Sequence, residues 1–315
     1  MALPSISPYP MPAEFDLPKN KVSWTPDPKR AALLIHDMQQ YFLDAFTAGK
    51  SPVVELLSNI RLLRSRCAEL GIPVIYSAQP GGQTPERRGL LRDFWGPGMD
   101  DGPYQKKIVD ELAPDEHDIV ITKWRYSAFQ KTDLLEILRQ RDRDQLIVCG
   151  VYAHIGCLLT ACDAFMQDVQ PFFVADAVAD FSWECHRMAL TYAAERCAVT
   201  TTTRRLLDEL GRMQNETREA QAAADGQPIT LQLVREQVAR LLDESPSNLA
   251  DSDDLISRGL DSVRIMSLVE RWRRIGVEVT FVELAEHPTL ADWWRLLSSR
   301  SKRVSSTSTP DNLSL

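Results

Sequence analysis

The sequence predicts a three-layer α/β/α domain with a parallel sheet of about six strands, followed by a small helical bundle, and three observations predict it. Short continuous apolar runs alternate with stretches whose apolar residues recur at helical spacing, the pattern of βα units that wind a parallel sheet between helices. From residue 212 to 228 the chain (RMQNETREAQAAADGQP) turns polar and poor in aromatics, as a linker does. Beyond residue 229 only helical periodicity remains. The expected organisation is therefore an arm over 1–28, an α/β domain over 29–211, a linker over 212–228, a helical domain over 229–298 and a disordered Ser-rich tail over 299–315. A length of 315 residues suits two such domains.

Each element has its own justification. Residues 1–28 hold seven prolines and little periodicity, which predicts an extended arm over the surface or a neighbouring subunit. Ala31 to Ile35 is an unbroken apolar run that ends in His36 and Asp37, so it reads as a central strand buried on both faces. Apolar residues from Val53 to Leu70 keep helical spacing until Gly71 stops the helix. Pro73–Ser77 is the second strand. Beyond it runs a long loop, AQPGGQTPERRGLLRDFWGPG, whose length and its Arg87, Arg88, Phe94 and Trp95 favour a lid or substrate clamp. Strands follow at Asp118–Thr122, Gln145–Cys149, Pro171–Ala175 and Ala198–Thr201, with helices between them and a closing helix over Thr203–Leu210. The second domain carries an amphipathic segment Leu231–Leu242, an acidic loop and a helix from Ser262 to about Ile275.

Composition excludes several classes. A net charge of -8 without a basic cluster argues against nucleic-acid and anionic-membrane partners. The N-terminal stretch lacks a charged leader with an apolar core, and no apolar run approaches the ~18 residues of a membrane span, so a cytoplasmic protein is expected. Six cysteines without a CxxC pair read as thiols in a reducing compartment, and five scattered histidines give no zinc-ligand spacing, so no metal is expected.

Parallel strands deliver their carboxyl ends to one rim, where ligands of open α/β sheets bind. Here the rim receives Asp37, then Gln79 with Arg88 beyond it, then Lys123 with Tyr126, then Tyr152 and the helix start at Gly156. Four polar contributions at one edge argue for an active site, although Asp37 alone could cap a turn.

The stretches IHDMQQYF, YSAQP, RRGLLRDFWGPG, TKWRYSAF, GVYAHIGC and DAVADFS resemble the isochorismatase family of the cysteine-hydrolase superfamily, in the form that joins an isochorismatase domain to an aryl carrier domain. Related amidases use an Asp, a Lys and a nucleophilic Cys. Asp37 and Lys123 match, but the Cys position falls on Gly156. Cys157, one residue on, should point about 100° away on a helix and reads as a buried thiol. The resemblance implies hydrolysis of the vinyl ether of isochorismate, with Asp37 as general acid. Its carboxyl would be raised by burial beside Tyr126, Tyr152 and Trp95 and opposed by Lys123. It further implies that Gln79, Arg88, Lys123, Tyr126 and Tyr152 with the Gly156 backbone bind a dianionic substrate, that Phe42 and Trp95 form apolar walls, and that a cis peptide precedes Tyr152. Arg87 is expected on the surface, and His36 and His154 are expected to alternate away from the rim as core or hydrogen-bonded histidines.

In the second domain, Arg258-Gly-Leu-Asp-Ser262 is similar to the 4'-phosphopantetheine attachment motif of carrier proteins, and a helix start suits a phosphodiester. The bland alternative is a serine helix cap. Nine arginines and twelve acids over residues 230–300 make this domain only mildly acidic, so partners should read Val263, Met266 and nearby apolar surface. The resemblance implies a phosphopantetheinyl transferase, a 2,3-dihydroxybenzoate-adenylating ligase and a non-ribosomal peptide synthetase as partners, and a homodimer. Two rivals stay open at this point: an amidase using Cys157, and a carrier protein whose α/β domain only docks.

Overall fold

The computed structural model describes residues 3–224, 229–274 and 276–301. Two compact units are present, Met1–Asn215 and Glu216–Leu315.

In the first unit, β1 (Ala31–His36), β2 (Val74–Ala78), β3 (Ile119–Thr122), β4 (Gln145–Val151), β5 (Gln170–Ala179) and β6 (Val199–Thr201) form one sheet in the order β3-β2-β1-β4-β5-β6. Every neighbouring pair is parallel. The winding reverses between β1 and β4, so the crevice outside their carboxyl ends is the place where this topology opens a site. Helices α1 (Val53–Glu69), α2 (Leu134–Gln140), α3 (Leu158–Met166) and α4 (Trp183–Arg196) cross between strands, and α5 (Thr203–Ala224) closes the unit after β6. β1 is buried throughout, with Leu33 and Ile35 entering one apolar core and Ala32 and Leu34 the other. That two-sided burial is what its unbroken apolar run encodes.

Several boundaries differ from expectation. β5 continues past Ala175 to Ala179, because Asp176, which interrupts the apolar run, is satisfied by the backbone N–H and hydroxyl of Thr203 at 2.7 and 2.8 Å. The closing helix runs to Ala224 rather than Leu210 and takes up most of the expected linker. Its Gln, Glu, Arg, Met and Ala residues are strong helix formers, and polarity alone does not separate a solvated helix from a linker. Residues 225–228 lie outside the described residues. The long loop after β2 is folded into short helical turns, Pro85–Arg88, Leu91–Trp95 and Pro103–Lys106.

The proline-rich arm lies on its own unit. Ile6 is buried and bridges Phe46, the Tyr9 hydroxyl accepts from the Asp180 N–H at 2.7 Å, and Asn20 exchanges two hydrogen bonds with the Thr200 backbone.

The second unit contains α6 (Leu231–Leu242), α7 (Ser262–Arg274), α8 (Phe281–Glu286) and α9 (Leu290–Ser301). Its core centres on Trp272 and Trp293, packed edge to face at 5.9 Å. Both indoles are satisfied, by Gln237 Oε1 at 2.8 Å and the Leu284 carbonyl at 2.9 Å. Because α9 reaches Ser301, the expected tail starts later, and residues 302–315 lie outside the described residues. Among the described residues no helix is long and apolar enough to cross a membrane.

Candidate active site

A partly open cavity of about 570 Å³ lies at the carboxyl ends of β1, β2 and β4. Its centre is Asp37. The strand stops at His36, and Asp37 takes a left-handed conformation (φ 51°), which a short polar side chain tolerates better than most. That twist breaks the alternation of side chains, so His36 and Asp37 both line the cavity. The expectation that His36 turns away from the rim is corrected for this reason. It is nonetheless buried and hydrogen-bonded, with Nδ1 at 2.9 Å from the Val151 carbonyl.

Asp37 is buried and accepts from every side. Ser77 Oγ donates to Oδ1 at 2.7 Å, Gln79 Nε2 donates to Oδ2 at 2.8 Å, and Lys123 Nζ lies 2.9 Å from Oδ2. Burial pushes this carboxyl upward, but Lys123, His36, Gln79 and Ser77 together outweigh it and hold it below the usual carboxylate range. Of the two opposing influences that the sequence left in balance, the buried donors stabilise the charge more than the walls destabilise it. Lys123 is fully buried and has three acceptors for its three protons, adding the carbonyls of Arg125 at 2.6 Å and Tyr126 at 3.4 Å.

Arg88 is also buried, yet among the described residues it forms no ion pair. Nε donates to the Gly96 carbonyl at 3.2 Å and Nη1 to Gln79 Oε1 at 3.4 Å. Gly98, at φ +83°, lets the guanidinium come close; a Cβ there would stand 2.8 Å from Arg88 Cζ. Gln79 therefore connects the buried cation to the buried carboxylate. Gln39, missed by sequence reasoning, fixes that connection: its amide exchanges hydrogen bonds with the Gln79 backbone at 2.8 and 2.9 Å and reaches the Lys106 carbonyl at 2.9 Å.

Aromatic groups build the opposite walls. Trp95 Nε1 donates to the Tyr126 hydroxyl at 2.6 Å and the indole stacks on Phe181 at 6.0 Å. Tyr152 packs on Phe181 at 4.3 Å and its hydroxyl donates to the Phe42 carbonyl at 2.8 Å, so that proton is already committed. The Val151–Tyr152 peptide is cis. Phe42 and Gly156 complete the lining, while Phe94 is exposed and Arg87 lies outside, 5.5 Å over the Trp124 ring. Phe181 and Leu3 also line the cavity, and Ser77 supports Asp37 from behind; none was singled out from the sequence, although the stretches YSAQP and DAVADFS contain Ser77 and Phe181.

Cys157 does not line the cavity. It is fully buried in the second apolar core, and burial raises its thiol well above the ordinary range, which is the environment of an inert cysteine. His154 stands apart, with Nδ1 at 2.6 Å from Asp180 Oδ1. His154, Asp180 and Cys185 bring three donor atoms within 4.8 Å of one another, but both Asp180 oxygens are taken by hydrogen bonds from His154 and the Phe181 N–H.

In the second unit, Ser262 opens α7, exposed. The capping is done by Asp261, whose Oδ1 accepts from the Arg264 N–H at 2.9 Å, so Ser262 is not the cap of an ordinary helix. Val263 and Met266 are exposed beside it. Among the described residues the Ser262 hydroxyl has no hydrogen-bond partner, and a hydroxyl so placed at a helix start fits a phosphopantetheine ester.

Comparison with known proteins gives the following. The isochorismatase domain model matches residues 31–205, and the phosphopantetheine attachment site model matches residues 232–297. The chain is 60% identical over 305 residues to the isochorismatase of Bacillus subtilis (strain 168), covering 96% of this chain and 98% of that protein. It is 46% identical over 303 residues to enterobactin synthase component B of Escherichia coli (strain K12), covering 96% of this chain and all of that protein (100%). A solved cysteine hydrolase from Pseudomonas syringae pv. phaseolicola 1448A shares the fold at a TM-score of 0.56 and 23% identity, over 61% of this chain and 97% of its own.

Proposed function

The chain belongs to the isochorismatase family, and from that premise we propose that its first unit hydrolyses the vinyl ether of isochorismate to 2,3-dihydro-2,3-dihydroxybenzoate and pyruvate. The observation that carries this reading is a buried Arg88 without an ionic partner, one glutamine away from the buried Asp37–Lys123 pair. A buried cation of that kind suits a substrate carboxylate, which it can bond bidentately. Asp37, protonated when the dianion is bound, gives its proton to the terminal methylene carbon. The vinyl π pair forms the new C–H bond, the O–H bonding pair stays on Asp37 as carboxylate, and the ether oxygen shares the cationic charge left on the adjacent carbon as an oxocarbenium ion. Water adds to that cation and releases a proton. The hemiketal then breaks its bond to the bridging oxygen, which leaves protonated on the diol, and pyruvate is freed. Lys123 stabilises the Asp37 carboxylate that the first step leaves. General-acid catalysis of this kind is typically worth ~10²- to 10⁴-fold. Phe42, Trp95, Tyr126 and Tyr152 wall the substrate, and the Gly156 backbone borders it. No acyl-enzyme is involved, in keeping with a glycine at 156 and an inert Cys157.

The second unit carries 4'-phosphopantetheine on Ser262. When bound, that group supplies the thiol on which 2,3-dihydroxybenzoate is carried as a thioester. Ser262 offers the attachment oxygen, Asp261 holds the helix start, and Val263 and Met266 offer apolar contact. The partners we assign are a phosphopantetheinyl transferase, an adenylating ligase for 2,3-dihydroxybenzoate and a non-ribosomal peptide synthetase of siderophore assembly. We place the enzyme in the cytoplasm as a homodimer. The α/β unit as a mere docking platform is disfavoured by its assembled Asp37–Lys123–Arg88 cavity.

One incubation tests both halves: isochorismate, then coenzyme A with a pantetheinyl transferase, followed by mass analysis of products and protein. Pyruvate release that disappears in Asp37→Ala, with a pantetheine increment on the peptide containing Ser262, is expected. Full turnover by Asp37→Ala would defeat the hydrolytic reading.

A further inference from the structure

We propose that His36 is a positioning residue for this reaction: its ring fills the space that a side chain at residue 156 would take, closes that wall of the cavity to a nucleophile, and braces the Asp37 carboxyl for proton transfer to carbon. The inference rests on the vinyl-ether reading. A Cβ built on Gly156 would stand 2.2 Å from His36 Cε1 and 2.9 Å from Nε2, far inside van der Waals contact. The backbone that carries the ring is held in place, because β4 lies directly against it. At Gly150 (φ +112°) a Cβ would meet the His36 carbonyl oxygen at 2.2 Å and its nitrogen at 2.7 Å. Two glycines thus hold one histidine.

The ring is also fixed rotationally. A carbonyl can only accept, so Nδ1 carries the proton it donates to Val151 at 2.9 Å. The same edge of the ring faces Asp37, with Nδ1 3.8 Å from Oδ1. Nε2 forms no hydrogen bond of ordinary geometry among the described residues, and the backbone of Tyr126, like that of Val151, faces the imidazole. The titratable groups facing the ring are Asp37, on its own strand, and Lys123, beyond β3. Burial, opposed by Asp37 and aided by Lys123, holds the imidazole down to about 4, so it is neutral at neutral pH and adds no second cation beside Lys123. The imidazole thus occupies the room beside Gly156 that any side chain there would need.

A double-mutant cycle of Gly156→Ala and His36→Ala, with kcat and KM for isochorismate and thermal melts of the full chain, tests this. Gly156→Ala should lower kcat about 100-fold, as an ångström-scale misplacement does, with KM changed less than about threefold. In the His36→Ala background the same substitution should cost less than about threefold, because the space has been vacated. His36→Ala should also shift the Asp37 limb of the kcat pH profile, which a purely structural ring would not move. Equal effects of Gly156→Ala in both backgrounds, or a Gly156→Ala enzyme with native kcat, would overturn the proposal. If Gly156→Ala fails to fold, recovery of folding in the double variant supports the steric pairing and its absence refutes it. Asp37→Ala, measured alongside, separates this inference from the reading beneath it: only that variant's retained turnover removes the proton-transfer chemistry itself.

Discussion

Asp37 meets two hydrogen-bond donors, Ser77 and Gln79, and a buried ammonium, which hold it as a carboxylate in the free enzyme, so its protonation must accompany substrate binding. A bound dianion places negative charge beside Lys123 and Arg88, which offsets the cations that hold the carboxyl down. The expected outcome is a limb of decreasing rate with rising pH that lies lower in kcat/KM, which reports the free enzyme, than in kcat, which reports the complex. Profiles for wild type and Asp37→Asn check it; coincident limbs, or a limb that survives in Asp37→Asn, would be incompatible. Arg88 gives a second expectation. Replacing it by Met removes an unpaired buried charge, so the melting temperature should rise, while KM rises roughly 10- to 100-fold for the loss of a charge-assisted bond of ~1.5–3 kcal/mol. A Michaelis constant unmoved by Arg88→Met would remove Arg88 from the anion site. At this scale the sequence shows which residue types reach the rim, because strand ends are legible. It does not show that Asp37 would turn left-handed, and so the cavity-facing ring of His36 was out of reach.

At the scale of elements, the strands are legible because a parallel strand buried on both faces must be apolar throughout, and β1 and β4 are buried at every position. Helix ends are less so. Asp176 looks like the end of β5 until Thr203, distant in sequence, supplies its donors, and α5 looks like a linker because its residues are polar. The start of α7 shows how two adjacent polar residues divide their tasks. Asp261 caps and Ser262 stays free, which sequence spacing cannot distinguish. Asp261→Ala should therefore destabilise the helical unit by about 1 kcal/mol, the usual loss of a cap, whereas Ser262→Ala should abolish the pantetheine mass increment without lowering the melting temperature. Calorimetry and intact-mass measurement of the two variants decide this; a Ser262→Ala protein that melts like Asp261→Ala would reassign the cap.

Over the whole α/β unit, the arm and the site are connected to stability through two buried histidines. His186 Nε2 donates to the Ala175 carbonyl at 3.0 Å, which leaves Nδ1 to accept from the Tyr9 hydroxyl at 3.1 Å, and Tyr9 in turn anchors the proline-rich arm at Asp180. A proton on Nδ1 would remove the acceptor that the Tyr9 hydroxyl proton uses. Burial holds both His36 and His186 down to about 4, from an ordinary value of 6.5. The folded-state values are depressed, so the stability each contributes is present above about pH 6.5, and is lost as pH falls through the folded value of about 4. Each histidine accounts for on the order of 3 kcal/mol over that interval. The Asp37 contribution, depressed below the carboxylate range, persists through the same window and is lost only at still lower pH. Urea denaturation across this range should show stability falling with acidity, and His186→Gln should flatten the slope by about one proton's worth. A stability unchanged across the window would mean that both imidazoles accept protons in the folded state, and the arm's anchor at Tyr9 would then have to be drawn differently.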